Sequence, residues 1–169
     1  MLSKNLEAVV NKFTPTLLLA SMLACQGSIA PSSQVNYALC KGTAYCKESK
    51  VRKIVDGDTL YVYSLRERIR LVLVRAPESN QKGGQEATQY LGELCPVGSE
   101  VLIDQDDKQL YDRYDRMVAV VWCLSERGSW EISNKRMIVD GYAELYKEFC
   151  RLSEFGNDEW AIRLGCPTK

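Results

Sequence analysis

The chain has 169 residues, enough for one domain with a sizeable core and a leader segment. It carries 22 acidic and 22 basic residues, so it has no general electrostatic attraction for nucleic acid, and any such affinity must be local. It contains no histidine, which excludes histidine–cysteine zinc sites and every mechanism with an imidazole base. Its chemistry must therefore rest on carboxylates, arginines, hydroxyls or thiols.

Residues 1–30 have the pattern of a targeting segment. A weakly cationic start precedes the apolar run 13–24, which is too short to span a bilayer. Ser28 and Ala30 are small at the positions that a signal peptidase reads, which predicts cleavage near Ala30. Alternatively, a lipoprotein processing site would end at Cys25, and lipidation of this residue would attach the chain to a membrane. A third possibility is that residues 13–24 form an apolar helix of a cytosolic protein. We expect export, to a secreted, periplasmic or cell-surface location.

The cysteine count agrees with export. Seven cysteines are present, and setting Cys25 aside leaves six: Cys40, Cys46, Cys95, Cys123, Cys150 and Cys166. An even number suits three disulfides in an oxidising compartment, although the sequence does not choose the pairs. Cys40 and Cys46 are close enough to pair with each other, or they tie the N-terminal arm onto the domain. Free thiols in a reducing cell are the alternative, and zinc is a weaker one because no Cys-x-x-Cys pair exists.

The first half of the domain reads as a set of short strands. A polar linker, 31–39, leads into the domain, 40–169, whose first strand is predicted at 51–55. A turn at Asp56-Gly57-Asp58 is followed by alternating strands at 59–63 and 68–74. In the second of these, the alternation predicts one face with Ile69, Leu71 and Leu73, and the other with Arg68, Arg70, Val72 and Val74.

The second half mixes strands and helices. Helices are predicted at 85–94, 132–140 and 153–164, the last with Ser153 as its cap, and strands at 101–104 and 117–124. The 117–124 run is apolar throughout, as expected for a strand buried on both faces. The segment 142–149 is ambiguous between strand and irregular structure. These elements predict an α+β domain, mainly β, built as a small barrel with about three packed helices.

Several segments resemble the staphylococcal nuclease (thermonuclease) family. They are DGDT at 56–59, RIRLVLVRAPE at 68–78, GQEA at 84–87, DRYDR at 112–116 and VDGYA at 139–143. They occur in the family's order, and the resemblance covers about residues 51–146. It implies a five-stranded OB-fold barrel with helices packed on it, and phosphodiester hydrolysis in DNA or RNA. We expect a monomer unless Cys25 attaches the chain to a membrane.

The resemblance also implies catalytic and substrate-binding residues. Arg70 and Arg116 match the family's two catalytic arginines, which would stabilise the phosphoryl transition state. Glu78 matches its catalytic glutamate, a general base or water-orienting group. Arg113 and Tyr114 fall where the family contacts a substrate phosphate.

The metal half of the motif departs from the family. Asp58 matches one of two calcium carboxylates, Asp56 a supporting acid, and Ala76 the residue that lends a backbone carbonyl. The second calcium carboxylate is replaced by Arg75. Two like charges about 4 Å apart repel by about 4 kcal/mol at an effective dielectric near 20, so calcium binding is expected to be weakened or lost.

This departure leaves two hypotheses. The chain is either an exported nuclease, in which Arg75 would supply positive charge if no metal binds, or a catalytically weakened module that binds nucleic acid or protein. A further departure is Asp115, which stands where the family usually has glycine and would partly neutralise Arg116.

Overall fold

A computed structural model describes residues 37–168, which lie within one compact unit, Val35–Lys169. The predicted leader 1–30, with Cys25, and most of the linker lie outside the described residues. Within the described part, no helix is long and apolar enough to cross a membrane.

The described part contains eight strands and three α-helices. The strands are β1 (Cys46–Asp56), β2 (Thr59–Val62), β3 (Ile69–Leu71), β4 (Val74–Arg75), β5 (Glu100–Gln105), β6 (Met117–Leu124), β7 (Trp130–Ile132) and β8 (Glu144–Leu145). The helices are α1 (Gly84–Leu94), α2 (Ser133–Val139) and α3 (Glu159–Leu164). Short 3-10 turns occur at Tyr37–Leu39, Lys147–Phe149 and Glu154–Asn157.

The main sheet closes on itself. Its strand order is β3-β2-β1-β5-β6-β7, and β3 also pairs in parallel with β6. Strands β1, β2, β3, β5 and β6 therefore form a closed ring, while β4 and β8 make a separate two-stranded ribbon. This arrangement confirms the predicted class, an α+β, mainly β domain with a five-stranded OB-fold and three helices.

Two apolar clusters fill the domain. The main cluster lies inside the ring and includes Val51, Leu60, Ile69 and Val101, with Ala87 and Leu91 of α1 packed against them. The second cluster lies on the other side of β6, where Val118 and Val120 meet residues of the C-terminal segment such as Phe155 and Trp160. Because β6 separates the two clusters, both of its faces are apolar, as its sequence predicts.

The strand predicted at 68–74 is wrong as a continuous element. β3 ends at Leu71, and the chain turns at Val72 and Leu73, where Leu73 has a φ of 60°. The buried side chain of Asn134 donates to the carbonyl of Val72 at 2.9 Å and holds this turn against β6. The predicted faces therefore break down after Leu71: Val74 joins the main cluster, whereas Val72 and Leu73 pack in the second.

The last predicted helix, 153–164, is also wrong as a single element. Asp158 leaves the helical conformation with a ψ of 146° and pairs with Lys41, so the segment splits into a 3-10 turn and α3. Ser153 is a cap as predicted, but of the 3-10 turn, because its hydroxyl accepts from the N–H of Phe155 at 3.1 Å. β7 was not predicted, and the ambiguous segment 142–149 contains β8.

Six cysteines form three disulfides, as their even number predicts. The pairs are Cys40–Cys46, Cys95–Cys123 and Cys150–Cys166. Cys95–Cys123 joins the end of α1 to β6, and Cys150–Cys166 closes the C-terminal segment over the second cluster.

Candidate active site

The turn between β1 and β2 places Asp58 beside the exit of β4. The N–H of Asp58 donates to the carboxylate of Asp56 at 3.0 Å, a local bond typical of aspartate in tight turns. A Cβ on Gly57 would lie 2.7 Å from the Cβ of Ala76 and 2.6 Å from that of Ala87, so only glycine lets the turn approach so closely. The N–H of Ala76 then donates to Oδ2 of Asp58 at 3.1 Å.

Arg70 forms a buried ion pair with Asp58. Its neighbours Ile69 and Leu71 enter the main cluster, so Arg70 lies on the outer face of the ring, opposite Thr59 of β2. Its Nη2 is 3.0 Å from Oδ2 of Asp58, and its Nη1 donates to the carbonyl of Leu71 at 2.8 Å. Burial raises the pKa of Asp58, although the charge of Arg70 opposes this shift. Arg70, which the sequence pattern placed on the same strand face as Val72 and Val74, is thus held by the carboxylate of Asp58.

Arg116 is oriented by Asp112, a residue that the sequence did not single out. Nε and Nη2 of Arg116 lie 2.7 and 2.6 Å from Oδ2 of Asp112, and Nη1 donates to the hydroxyl of Thr59 at 3.1 Å. Oδ1 of Asp112 accepts from the backbone N–H groups of Tyr114 and Arg116. Burial alone would raise the pKa of Asp112, but these hydrogen bonds hold it below its ordinary value. The only sequence signal for this role was its place at the start of DRYDR.

Asp115 does not neutralise Arg116 as the sequence suggested. It is exposed and has a φ of 56°, a conformation that aspartate tolerates better than most residues and that explains the glycine usual there. The carboxylate that pairs with Arg116 is Asp112.

Arg113 and Tyr114, which the resemblance assigns to a substrate phosphate, lie at the outer rim of the cleft. Tyr114 is 54% exposed. The guanidinium carbons of Arg113 and Arg116 lie 4.7 and 5.3 Å from the centroid of its ring. The ring thus lies close to two cations, which leaves this rim positively charged and accessible to an anionic ligand.

Glu78 is held in a loop between β4 and α1. Its N–H donates to the side chain of Gln81 at 3.1 Å, and its carbonyl accepts from the N–H of Gln81 at 2.8 Å. A Cβ on Gly84 would lie 1.9 Å from the carbonyl oxygen of Glu78, so the loop packs against the start of α1 only because residue 84 is glycine. The side chain of Glu78 is exposed at the edge of the site.

Arg75 lies on the wall of the site, and its charge pairs with Glu144 rather than with Asp58. It stands opposite Glu144 in the β4–β8 ribbon, and its Nη2 is 3.4 Å from that carboxylate. Its guanidinium carbon is 5.8 Å from the centroid of the Tyr146 ring. Because the side chain is half exposed, its charge is screened by solvent and its pair with Glu144 is weak.

These residues line one cleft of about 420 Å³. Of the residues singled out from the sequence, the cleft contains Asp58, Arg70, Arg75, Ala76, Glu78, Arg113, Tyr114 and Arg116, but not Asp56. Four arginines and three carboxylates, Asp112 included, face it. An excess of positive charge is therefore concentrated here, although the chain as a whole is neutral.

The cleft does not fit a dedicated calcium site. Calcium takes about six to eight oxygen ligands, usually with several carboxylates. Both oxygens of Asp58 already accept hydrogen bonds, from Thr59, Ala76 and Arg70. The one group of three carboxylate or thiol ligands found close together in the described part is Cys40, Cys46 and Asp104, outside the cleft and with its cysteines in a disulfide. We therefore assign no step to a metal.

Comparison with known proteins identifies the family. A family model described as "Staphylococcal nuclease homologue" matches residues 68–159. The chain is 33% identical to "Micrococcal nuclease" of Shigella flexneri over 69% of this chain and 71% of that protein. It is 35% identical to "Protein ParB" of Escherichia coli, over 58% of this chain and 56% of that protein. It is 32% identical to an "Uncharacterized endonuclease" of Haemophilus influenzae, over 59% of this chain and 53% of that protein. It thus spans just over half the length of these last two relatives. The chain belongs to the staphylococcal nuclease homologue family.

Proposed function

We propose that the chain hydrolyses phosphodiester bonds in DNA, RNA or both. The observation that carries this proposal is that Arg70, the cross-strand neighbour of Thr59, and Arg116, which donates to the hydroxyl of Thr59, line the same cleft as Glu78. Relatives named as nucleases and endonucleases support the same reaction class. No specific contact favours the alternative of a module that binds without cutting.

The two arginines have the donors that a phosphodiester needs. Each guanidinium carries five N–H groups, of which Arg70 uses two and Arg116 three in the contacts described above. The remaining groups are available to the oxygens on which negative charge builds in the transition state. Asp58 and Asp112 hold the two side chains in place before substrate arrives, so little reorganisation accompanies the reaction.

Glu78 supplies the group that a purely binding protein would not need. Its carboxylate accepts a proton from the attacking water or orients that water toward phosphorus. Arg75, standing in place of a calcium carboxylate, adds positive charge to the same wall of the cleft.

The catalytic proposal is tested by incubating the purified protein and a Glu78→Gln variant with DNA and with RNA. We expect the variant to cut about 100- to 10,000-fold more slowly, the usual range for loss of a general base. Glu86→Gln, the same substitution at an exposed position in the first turn of α1, is the matched control and should retain wild-type activity. Equal cutting by the wild type and Glu78→Gln would refute the proposed role.

The contribution of Arg75 is tested by repeating the reaction with calcium and with saturating chelator. Hydrolysis that survives the chelator supports a cation-based site that includes Arg75. Complete loss of hydrolysis in chelator, restored by calcium, would refute it.

We further propose that the protein is exported. Three disulfides within one small domain support this, because such bonds persist in oxidising compartments and are rare in the cytosol. Fractionation of the producing cells, with mass spectrometry of the mature N-terminus, distinguishes cleavage near Ala30 from lipidation of Cys25. Recovery of the uncleaved chain from the cytosol would contradict the proposal.

A further inference from the structure

The outer face of β2 continues from the catalytic arginines to a surface that the reaction does not use. Leu60 and Val62 point into the main cluster, so Thr59 and Tyr61 share the opposite face of β2. Tyr63 follows directly after this strand, where its N–H donates to the carbonyl of Lys50 at 3.0 Å. Thr59 contacts Arg116, and this fixes the face as the one that carries the cleft. Side chains two residues apart on a strand stand about 6.6 Å apart, so Tyr61 lies one such step from Thr59 along β2, and the exposed Tyr63 follows the end of the strand.

Three cations surround Tyr61 on this face. Lys53 of β1 stands directly opposite it, and Arg68, which immediately precedes β3, is the next residue along after the Leu60–Ile69 pair. The register of β1 shifts between Val51 and Lys53, a bulge that re-aims the side chain between them. As a result, the guanidinium carbon of Arg52 lies 4.6 Å from the centroid of the Tyr61 ring.

Among the described residues, these cations form no ion pair. Within residues 37–168, neither Arg52, Lys53 nor Arg68 has a carboxylate within 4.0 Å. Arg68 instead donates to the backbone carbonyl of Tyr114 at 3.3 Å, which joins this surface to the rim of the cleft. The chain has equal numbers of acidic and basic residues, so any electrostatic attraction for nucleic acid must come from a local group of cations. This cluster beside the cleft is such a group.

We propose that Arg52, Lys53, Tyr61, Tyr63 and Arg68, here called the outer strip, bind a single-stranded nucleic acid beyond the bond that is cut. The inference rests on the proposed function, because it assigns the strip to the substrate of the same cleft. Phosphates would meet the cations, and bases would stack on the tyrosine rings, of which Tyr63 is 65% exposed. Bases inside a duplex are already stacked and cannot do so, which favours single strands.

The test compares a dinucleotide with a single strand of about 12 nucleotides, a length within the range that one OB-fold covers. Tyr61→Leu keeps an apolar side chain of similar size but removes the ring, and Arg52→Ala removes one cation. For the long strand we expect each variant to raise KM at least fivefold with kcat unchanged, and for the dinucleotide we expect no such defect. Arg163→Ala, which removes an exposed arginine of α3, is the matched control and should change neither constant.

Salt dependence separates the two kinds of contact. Arg52→Ala should lower the slope of log affinity against log salt by about 0.7 for a single strand, whereas Tyr61→Leu should leave it unchanged. Equal KM values for wild type and both variants on the long strand would overturn the proposal. So would equal losses on single strands and duplexes, which would indicate a general charge effect.

Failure of the strip is distinguishable from failure of the proposed function. A wild-type protein that cuts nothing refutes the nuclease proposal alone. In that event, anisotropy of a labelled single strand still tests the strip, since the same two variants should weaken binding and Arg163→Ala should not. Binding equal to wild type in both Tyr61→Leu and Arg52→Ala would refute the strip.

Discussion

Asp104 makes the stability of this protein depend on pH in a direction opposite to that of most carboxylates. Its side chain is 1% exposed, Oδ2 accepts from the N–H of Lys41 at 2.8 Å, and Oδ1 has no partner in the described part of the chain. Burial, with the nearby carboxylates of Glu154 and Asp107, raises the pKa of Asp104 to about 7, although the N–H of Lys41 opposes this.

The direction of this pH dependence follows from which state, folded or unfolded, binds the proton of Asp104. Between about pH 4 and pH 7 the folded protein keeps Asp104 protonated while the unfolded chain does not, so the free energy of unfolding falls by about 1.4 kcal/mol for each pH unit. This contribution is fully present below about pH 4 and is lost as the pH rises through 7. A shift from 3.8 to about 7 corresponds to a total loss of about 4 kcal/mol.

Urea unfolding of the wild type and Asp104→Asn at several pH values, under non-reducing conditions, measures this loss. Asparagine does not ionise, so the difference in unfolding free energy between the two proteins should move in favour of the variant by about 4 kcal/mol from pH 4 to pH 8. A pH-independent difference for Asp104→Asn would refute the reasoning.

Two further substitutions test the parts of the fold that hold the cleft. Asn134→Ala removes the buried amide that donates to the carbonyl of Val72. It should lower the free energy of unfolding by roughly 3 kcal/mol, because several backbone groups lose their hydrogen-bond partner. A urea midpoint equal to that of the wild type would contradict this. Arg116→Lys cannot contact Asp112 and Thr59 together through one planar group, so kcat should fall about 100-fold or more with unfolding free energy changed by less than about 1 kcal/mol. Activity close to wild type in Arg116→Lys would show that a single charge suffices there.

The fold was predictable where one physical signal acted locally. Alternation marked β2, helical spacing marked α1, and the apolar run marked β6, which is buried on both faces. The turn at Val72 and Leu73 was not predictable, because no glycine or proline marks it and it is held by Asn134, which lies 62 residues from Val72 in the chain. The break before α3 was missed for a similar reason, since the partner of Asp158 is Lys41, distant in sequence.

The motifs selected residues that line one cleft, but they did not predict the ion pairs between those residues. A motif identifies Arg70 and Arg116, yet which carboxylate balances each depends on three-dimensional packing, and the partners are Asp58 and Asp112.

Arg75 illustrates the limit most clearly. The sequence shows that an arginine replaces a calcium carboxylate at position 75. The repulsion expected between this arginine and a calcium ion about 4 Å away assumed that the guanidinium points at the metal position. The β4–β8 pairing instead sets Arg75 against Glu144, while Arg70 neutralises Asp58. A cation that entered the cleft would therefore compete first with Arg70 for the carboxylate of Asp58, and only at longer range with Arg75. The barrier to calcium in this cleft thus lies as much in Arg70, which the chain shares with the family motif, as in the substituted Arg75.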